Sequence, residues 1–148
     1  EGVMPHKPRI AMEVWDKDPA EEWAAPAYAA IKDVAKDPVD WAQKHIKEGA
    51  EAIALILNST DPNGNNASPE SAAATAKKVA AAIDVPLIVF GTSNVEKDAE
   101  VLPAVAEACG DKPIVIGPVQ DKNYKKIGAA ALAAVIAACD RVVESVRI

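Results

Sequence analysis

Along the chain, apolar residues gather four times into a short unbroken run. After each run they recur every three or four positions through a longer stretch. The runs predict strands near 10–15 (IAMEVW), 52–57 (AIALIL), 86–91 (PLIVFG) and 113–119 (PIVIGPV). None alternates apolar with polar positions, and such runs belong to parallel strands covered on both faces. Two begin just after or at a proline, where no ladder donor is lost.

The longer stretches carry helix signals. In DPVDWAQKHIKEG, Asp37 is placed to cap a helix, Pro38 to open it and Gly49 to end it. Val39, Ala42 and Ile46 then share one face. Ser68-Pro69-Glu70 opens a second helix running to about Ile83, with Ala72, Ala76, Val79, Ala80 and Ile83 inward and Lys77 and Lys78 outward. In NVEKDAEVLPAVAEACG, Pro103 would cost a helix interior roughly 3 kcal/mol. Regular helix is therefore expected only from Glu100 or Val101, ending at Gly110. An alanine-rich helix is expected from about Asn123. The segment DKDPAEEWAAPAYAAIKDVAK, with Trp23 and Tyr28, reads as an irregular loop with a short helix. No linker or composition shift divides residues 1–148, so the chain reads as one βα-repeating domain.

Composition narrows the class. Half of the 148 residues are apolar, which suits a soluble globular domain with a real core. The most apolar run, AAALAAVIAAC, is shorter than the ~18 residues of a membrane span. A net charge of −6 argues against nucleic acid and against an acidic membrane surface, since no basic stripe faces phosphates. Cys109 and Cys139 fit no zinc or iron–sulfur spacing and read as thiols in a reducing, cytoplasmic compartment. No signal peptide is visible, and the initial Glu1 suggests a trimmed chain or a piece of something longer.

Ligands of βα folds sit at the carboxyl ends of the strands. Those ends carry Glu13 and Asp16; Asn58, Thr60, Asp61, Asn63, Asn65 and Asn66; Thr92, Ser93 and Asn94; and Gln120, Asp121 and Asn123. The set is rich in amides, which orient polar rings, and poor in activated nucleophiles, which acyl transfer needs. No catalytic residue and no metal ligand is assigned. The expected cofactor-binding residues are Asn58, Thr60, Asp61, Asn63, Thr92, Asn94, Gln120 and Asn123.

The loop STDPNGNNASPE supports two readings. Asp61-Pro62-Asn63-Gly64 forms a turn and Ser68 a cap, or the loop's length at a strand's carboxyl end marks a contact site. Asp61 and Asp121 as a proton-transferring pair is disfavoured, because asparagines around them would solvate charge. The tryptophans read as core or interface anchors, with Trp15 the candidate stacking platform. His45 reads as a helix residue, and His6 lies on the amino-terminal side. There is no Gly-x-Gly-x-x-Gly and no phosphate loop.

Several stretches add a resemblance: PHKPRIAMEV, WAQKHIKEGAEAIALIL, STDPNGNNASPESAAATAKKVAAAIDVPLIVFG, NVEKDAEVLPAVAEA and NYKKIGAAALA. From about Pro5 to Ala134 the chain resembles the small (delta) subunit of the corrinoid iron–sulfur protein, from the carbon monoxide dehydrogenase/acetyl-CoA synthase system. The resemblance implies a (βα)8 barrel of TIM type. Its mouth would cover a cobalamin-type corrinoid carried by a large corrinoid/iron–sulfur subunit during methyl transfer from a methyl-pterin to the acetyl-CoA-forming centre. No iron–sulfur cluster is expected in this chain. Nor does it fit the Asp-x-His-x-x-Gly motif of a lower cobalt ligand, because Gln43 stands two residues before His45 and the next glycine comes one position late.

Two departures stand out. The family usually has Gly-Cys-Gly or similar after the third strand, where this chain has Gly91-Thr92-Ser93. The family also continues into a fifth strand and four further βα units, whereas this chain ends in AVIAACDRVVESVRI. That ending is either a relic of the fifth strand or a continuation of the last helix.

The expected fold is therefore α/β: a (βα)4 half of a TIM-type barrel with parallel strands. Open edges and an unwalled inner face invite association. Closure by a second copy is favoured over a last helix folded across the face or strands reordered into a flavodoxin-like sheet. Three functional readings stay open. The chain is a non-catalytic corrinoid-capping module, a pterin-binding methyltransferase-like domain using Asp61, Asn94 and Asn123, or a truncated or engineered half-barrel without activity.

Overall fold

The structure, a computed structural model, describes residues 7–110 and 112–146; His6 lies outside them. The elements are β1 (Ala11–Trp15), α1 (Ala25–Ala29), α2 (Pro38–Lys47), β2 (Ala52–Ile56), a 3₁₀ turn (Asn58–Thr60), α3 (Pro69–Ala82), β3 (Leu87–Phe90), α4 (Val95–Ala108), β4 (Ile114–Gly117) and α5 (Tyr124–Val146). The strands form one parallel sheet in the order β1-β2-β3-β4. This is the sequential order of half a (βα)8 barrel, and it rules out the reordered, flavodoxin-like sheet.

The predicted helix signals act locally as expected. Asp37 accepts hydrogen bonds from the N–H groups of Val39 and Asp40, Pro38 opens α2, and Gly49 follows its C-cap at φ +102°, a conformation that favours glycine. Ser68 accepts from the Ser71 N–H and caps α3. The segment before α2 holds the short α1, and Trp23 and Tyr28 pack against the core from it.

The expected start of α4 at Glu100 or Val101 is wrong. α4 begins at Val95, with Pro103 inside it. Asn94 accepts from the Lys97 N–H and forms the first turn before the proline is reached. Asp98, Val101, Leu102, Val105 and Ala106 are buried along one face, so tertiary packing holds the helix through the proline. The stretch AVIAAC continues α5 and forms no fifth strand.

Alternate strand residues have different fates. Val14, Ile53, Leu55, Leu57, Leu87 and Val89 are buried beneath the helices, joined in the core by Trp41, Ala76, Val79, Val101 and Val105. The intervening residues form two cross-strand rows, Glu13-Ala54-Ile88-Val115 and Trp15-Ile56-Phe90-Gly117. Among the described residues no element covers these rows. Val115 is 59% and Phe90 38% exposed. The unbroken apolar runs suggested cover on both faces, but the helices here supply only one. α5 packs beside α4 and does not fold across the open face.

Candidate functional site

All four strands point the same way, so the loops leaving their carboxyl ends meet on one rim. Side-chain hydrogen bonds join each loop to its neighbour. Between the β1 and β2 loops, the Asp16 carboxylate accepts from the Ser59 N–H at 2.9 Å and from the Ser59 hydroxyl. Burial pushes the Asp16 carboxyl above its ordinary range, against the pull of those two donors. Between the β2 and β3 loops, Lys97 Nζ donates to Asn66 Oδ1 at 2.8 Å. Between the β3 and β4 loops, Gln120 Nε2 donates to the Ser93 carbonyl at 3.0 Å and Asn123 Nδ2 to the Val95 carbonyl at 3.4 Å.

These bonds fix the role of most predicted site residues. Thr60 is buried and its hydroxyl donates to the Leu57 carbonyl at 2.7 Å. Asp61 Oδ1 accepts from the Asn63 N–H at 2.8 Å and from Asn63 Nδ2 at 3.3 Å, while the Gly64 N–H closes the turn on the Asp61 carbonyl. Asp61 and Asn63 therefore build their own turn. Asn94 caps α4 through Oδ1. Asn123 is buried, with Oδ1 accepting from the Gln120 N–H at 2.8 Å. Unengaged amide groups within the described residues include the half-buried Asn58 side chain, the Asn94 Nδ2 group and the Gln120 Oε1 atom.

The sequence reading missed Asp98. This residue is fully buried, and Oδ1 accepts from the Thr92 N–H at 3.0 Å. Asp98 Oδ2 and Thr92 Oγ1 are buried with no hydrogen-bond partner. Burial pushes the Asp98 carboxyl upward, opposed by the Thr92 and Ser93 N–H groups. Gly91 makes room for it, since a Cβ there would lie 2.2 Å from Asp98 Oδ1. The same loop holds Ser93 at φ 65°, a left-handed conformation that costs a non-glycine residue energy. On a helical wheel Asp98 reads as one more surface charge; only the glycine seven residues earlier hints otherwise.

At the carboxyl end of β1, Trp15 packs edge to face on Trp23, and Trp23 on Trp41, with centroid distances of 5.4 and 5.6 Å. Trp15 also donates to Glu13. Trp41 Nε1 donates to His45 Nε2 at 2.7 Å, and His45 Nδ1 lies 3.2 Å from Glu48. His45 stands in the last turn of α2, which leads into the amino-terminal end of β2, so it is remote from the rim. The described residues contain no group of three or more His, Cys, Asp or Glu able to hold a metal ion, and no helix long and apolar enough to cross a membrane.

Comparison with known proteins adds a second line. The profile of the family described as CO dehydrogenase/acetyl-CoA synthase delta subunit matches residues 1–145. Among the similar proteins are several that carry the name acetyl-CoA decarbonylase/synthase complex subunit delta. The protein from Methanothermobacter thermautotrophicus is 36% identical over 134 residues, covering 89% of this chain and 34% of its own length. That from Methanocaldococcus jannaschii is 35% identical, with 89% and 33% covered. The Archaeoglobus fulgidus protein is 35% identical over 129 residues, with 86% and 28% covered. The chain thus spans about a third of the length of the curated relatives it matches.

Proposed function

The chain belongs to the CO dehydrogenase/acetyl-CoA synthase delta subunit family, and from that premise we propose that it is the barrel part of a methyl-transfer assembly. Its rim lies over a corrinoid carried by a large corrinoid/iron–sulfur partner, and its side chains do not take part in bond-making. The relatives' name supports a place in a multi-subunit complex.

The residues present fit such a division of labour. The rim offers free hydrogen-bonding groups: Asn58, Asn94 Nδ2 and Gln120 Oε1 are unengaged, while His45 is held by Trp41 and Glu48 at the far end. Amides of this kind suit the polar side chains around a corrin ring. The corrinoid supplies the methyl-carrying cobalt; the chain supplies orientation, hydrogen bonds and a wall against water. Fixed loops serve that purpose, because a rim already joined loop to loop loses little freedom on docking.

The observation that carries the reading is the set of unengaged amides on an otherwise internally bonded rim. Calorimetric titration with methylcobalamin and, separately, with a methyl-tetrahydropterin tests it. Methylcobalamin is expected to bind, and Asn58→Ala to weaken binding at least threefold without moving the urea midpoint. Tight pterin binding with none to methylcobalamin would instead support a pterin-binding methyltransferase-like domain, and no binding of either would remove the reading.

A further inference from the structure

The chain has three tryptophans, each from a different segment: Trp15 from the end of β1, Trp23 from the stretch before α1 and Trp41 from α2. They nevertheless meet in single file. Ring centroids lie 5.4 Å apart between Trp15 and Trp23 and 5.6 Å apart between Trp23 and Trp41, at interplanar angles of 84° and 78°. Edge-to-face packing accounts for the rings. It does not account for the polar groups at the two ends of the file.

The Trp41 ring is fully buried, and its Nε1–H donates to His45 Nε2 at 2.7 Å. Side-chain donors in proteins most often rest on backbone carbonyls or water. A carbonyl cannot take up the proton it receives, whereas an imidazole nitrogen can. Because His45 Nε2 is an acceptor here, the ring proton sits on Nδ1, facing the Glu48 carboxylate at 3.2 Å. A positive charge arriving on His45 is therefore met by Glu48. At the other end, Trp15 is half-buried beside the rim and its indole N–H donates to Glu13. A carboxylate is a weaker base than an imidazole.

We propose that the three tryptophans form a one-electron path that carries an oxidising equivalent from the rim end of β1 into the helix layer. A one-electron oxidant of the metal-complex or oxygen-radical class takes one electron from Trp15 and is reduced by one. Trp23 then refills Trp15, and Trp41 refills Trp23; these transfers break no bond. An indole that has lost an electron is a strong N–H acid. The Trp41 N–H bond breaks, its proton bonds to His45 Nε2, and a neutral Trp41 radical is left beside an imidazolium facing Glu48. The stronger base at this end draws the oxidising equivalent away from the rim. A thiolate, itself oxidised to a thiyl radical, returns the electron, and His45 returns the proton to Trp41. The path uses residues between Glu13 and Glu48 alone. It therefore goes beyond the corrinoid reading, and a failed titration with methylcobalamin leaves it standing.

Photo-oxidation of the full 148-residue chain tests it, with ruthenium tris(bipyridine) as photo-oxidant and a cobalt(III) ammine as electron sink. Peptide mass spectrometry then reads which tryptophan carries oxygen added by dioxygen to the radical. The ruthenium complex cannot touch the buried Trp41, so oxidation there has travelled. In the wild type, Trp41 is expected to be modified at least as much as half-buried Trp15. Trp23→Phe interrupts the file and is expected to lower Trp41 modification about fivefold while Trp15 is still modified. His45→Gln keeps a hydrogen-bond acceptor but removes the base, and is expected to lower it similarly. Both substitutions shrink a side chain, so a merely structural role would open access to Trp41 and raise its modification, as would unfolding. An unmodified Trp41 in the wild type overturns the proposal. So does a Trp41 modified as much, or more, without Trp23 or without His45.

Discussion

Replacing Gly91 with alanine tests how the rim is built. Nothing in the backbone forbids the change, since Gly91 is not among the glycines at positive φ. The obstacle is the buried Asp98. The new Cβ would lie 2.2 Å from Oδ1 and 2.5 Å from Cγ, about 1 Å short of the 3.4 Å at which ordinary contact begins. The carboxylate must retreat, and the Thr92 N–H loses its acceptor. Overpacking costs about 1–3 kcal/mol, and a buried polar group left unpaired costs about 1–3 kcal/mol more. Against this, alanine restricts the unfolded chain and returns about 0.4–1 kcal/mol. The expected net loss is about 1–6 kcal/mol. Urea unfolding followed by tryptophan fluorescence and circular dichroism measures it.

The decisive variant is the double one. Asp98→Ala alone is expected to cost about 1–3 kcal/mol by orphaning the Thr92 N–H. With the carboxylate gone, Gly91→Ala should cost nothing further, so Gly91→Ala/Asp98→Ala is more stable than Gly91→Ala. Equal losses from Gly91→Ala in both backgrounds would refute the reasoning, because additivity means the two residues do not meet.

Asp98→Asn keeps an acceptor for Thr92 and removes the ionisation. A carboxyl raised in the folded state binds its proton more tightly there than in the unfolded chain, so wild-type stability falls as pH rises from its unfolded range through the raised folded value. The Asp98→Asn variant should lack that fall, and denaturation series from pH 4 to 7 would reveal parallel curves if this is mistaken. His45→Ala leaves the buried Trp41 N–H without an acceptor and should cost about 1–3 kcal/mol, with His45→Gln recovering part of it; equal losses in thermal melts would count against the bond. Asn123→Ala should cost about 1–3 kcal/mol by freeing the Gln120 N–H and the Val95 carbonyl, and a change confined to ligand titrations would instead assign Asn123 to binding.

Much of the fold is written in local chemistry. Asp37, Ser68 and Gly49 each act where their residue type alone would put them, and the four apolar runs are strands to within one or two residues. Reading failed where a distant partner decides. Pro103 masked a helix start that Asn94 and a buried face enforce. Thr60 and Asn123 carry ligand-ready groups, but Leu57, Gln120 and Val95 engage them, and no spacing rule foretells those pairings. Asp98 was hidden because its burial depends on the space above Gly91.

Among the described residues, the hydrogen bonds between rim loops run only from each loop to the next. Such an arrangement resembles a fan whose ribs are fastened pairwise: each joint is firm, yet no tie spans the whole width. The local geometry of every loop is thus fixed by the chain itself, while the spread between the first loop and the last is set from outside, by whatever lies against the bare side of the sheet. A molecule seated over the mouth and a wall placed behind the strands would feel one another through that single degree of freedom.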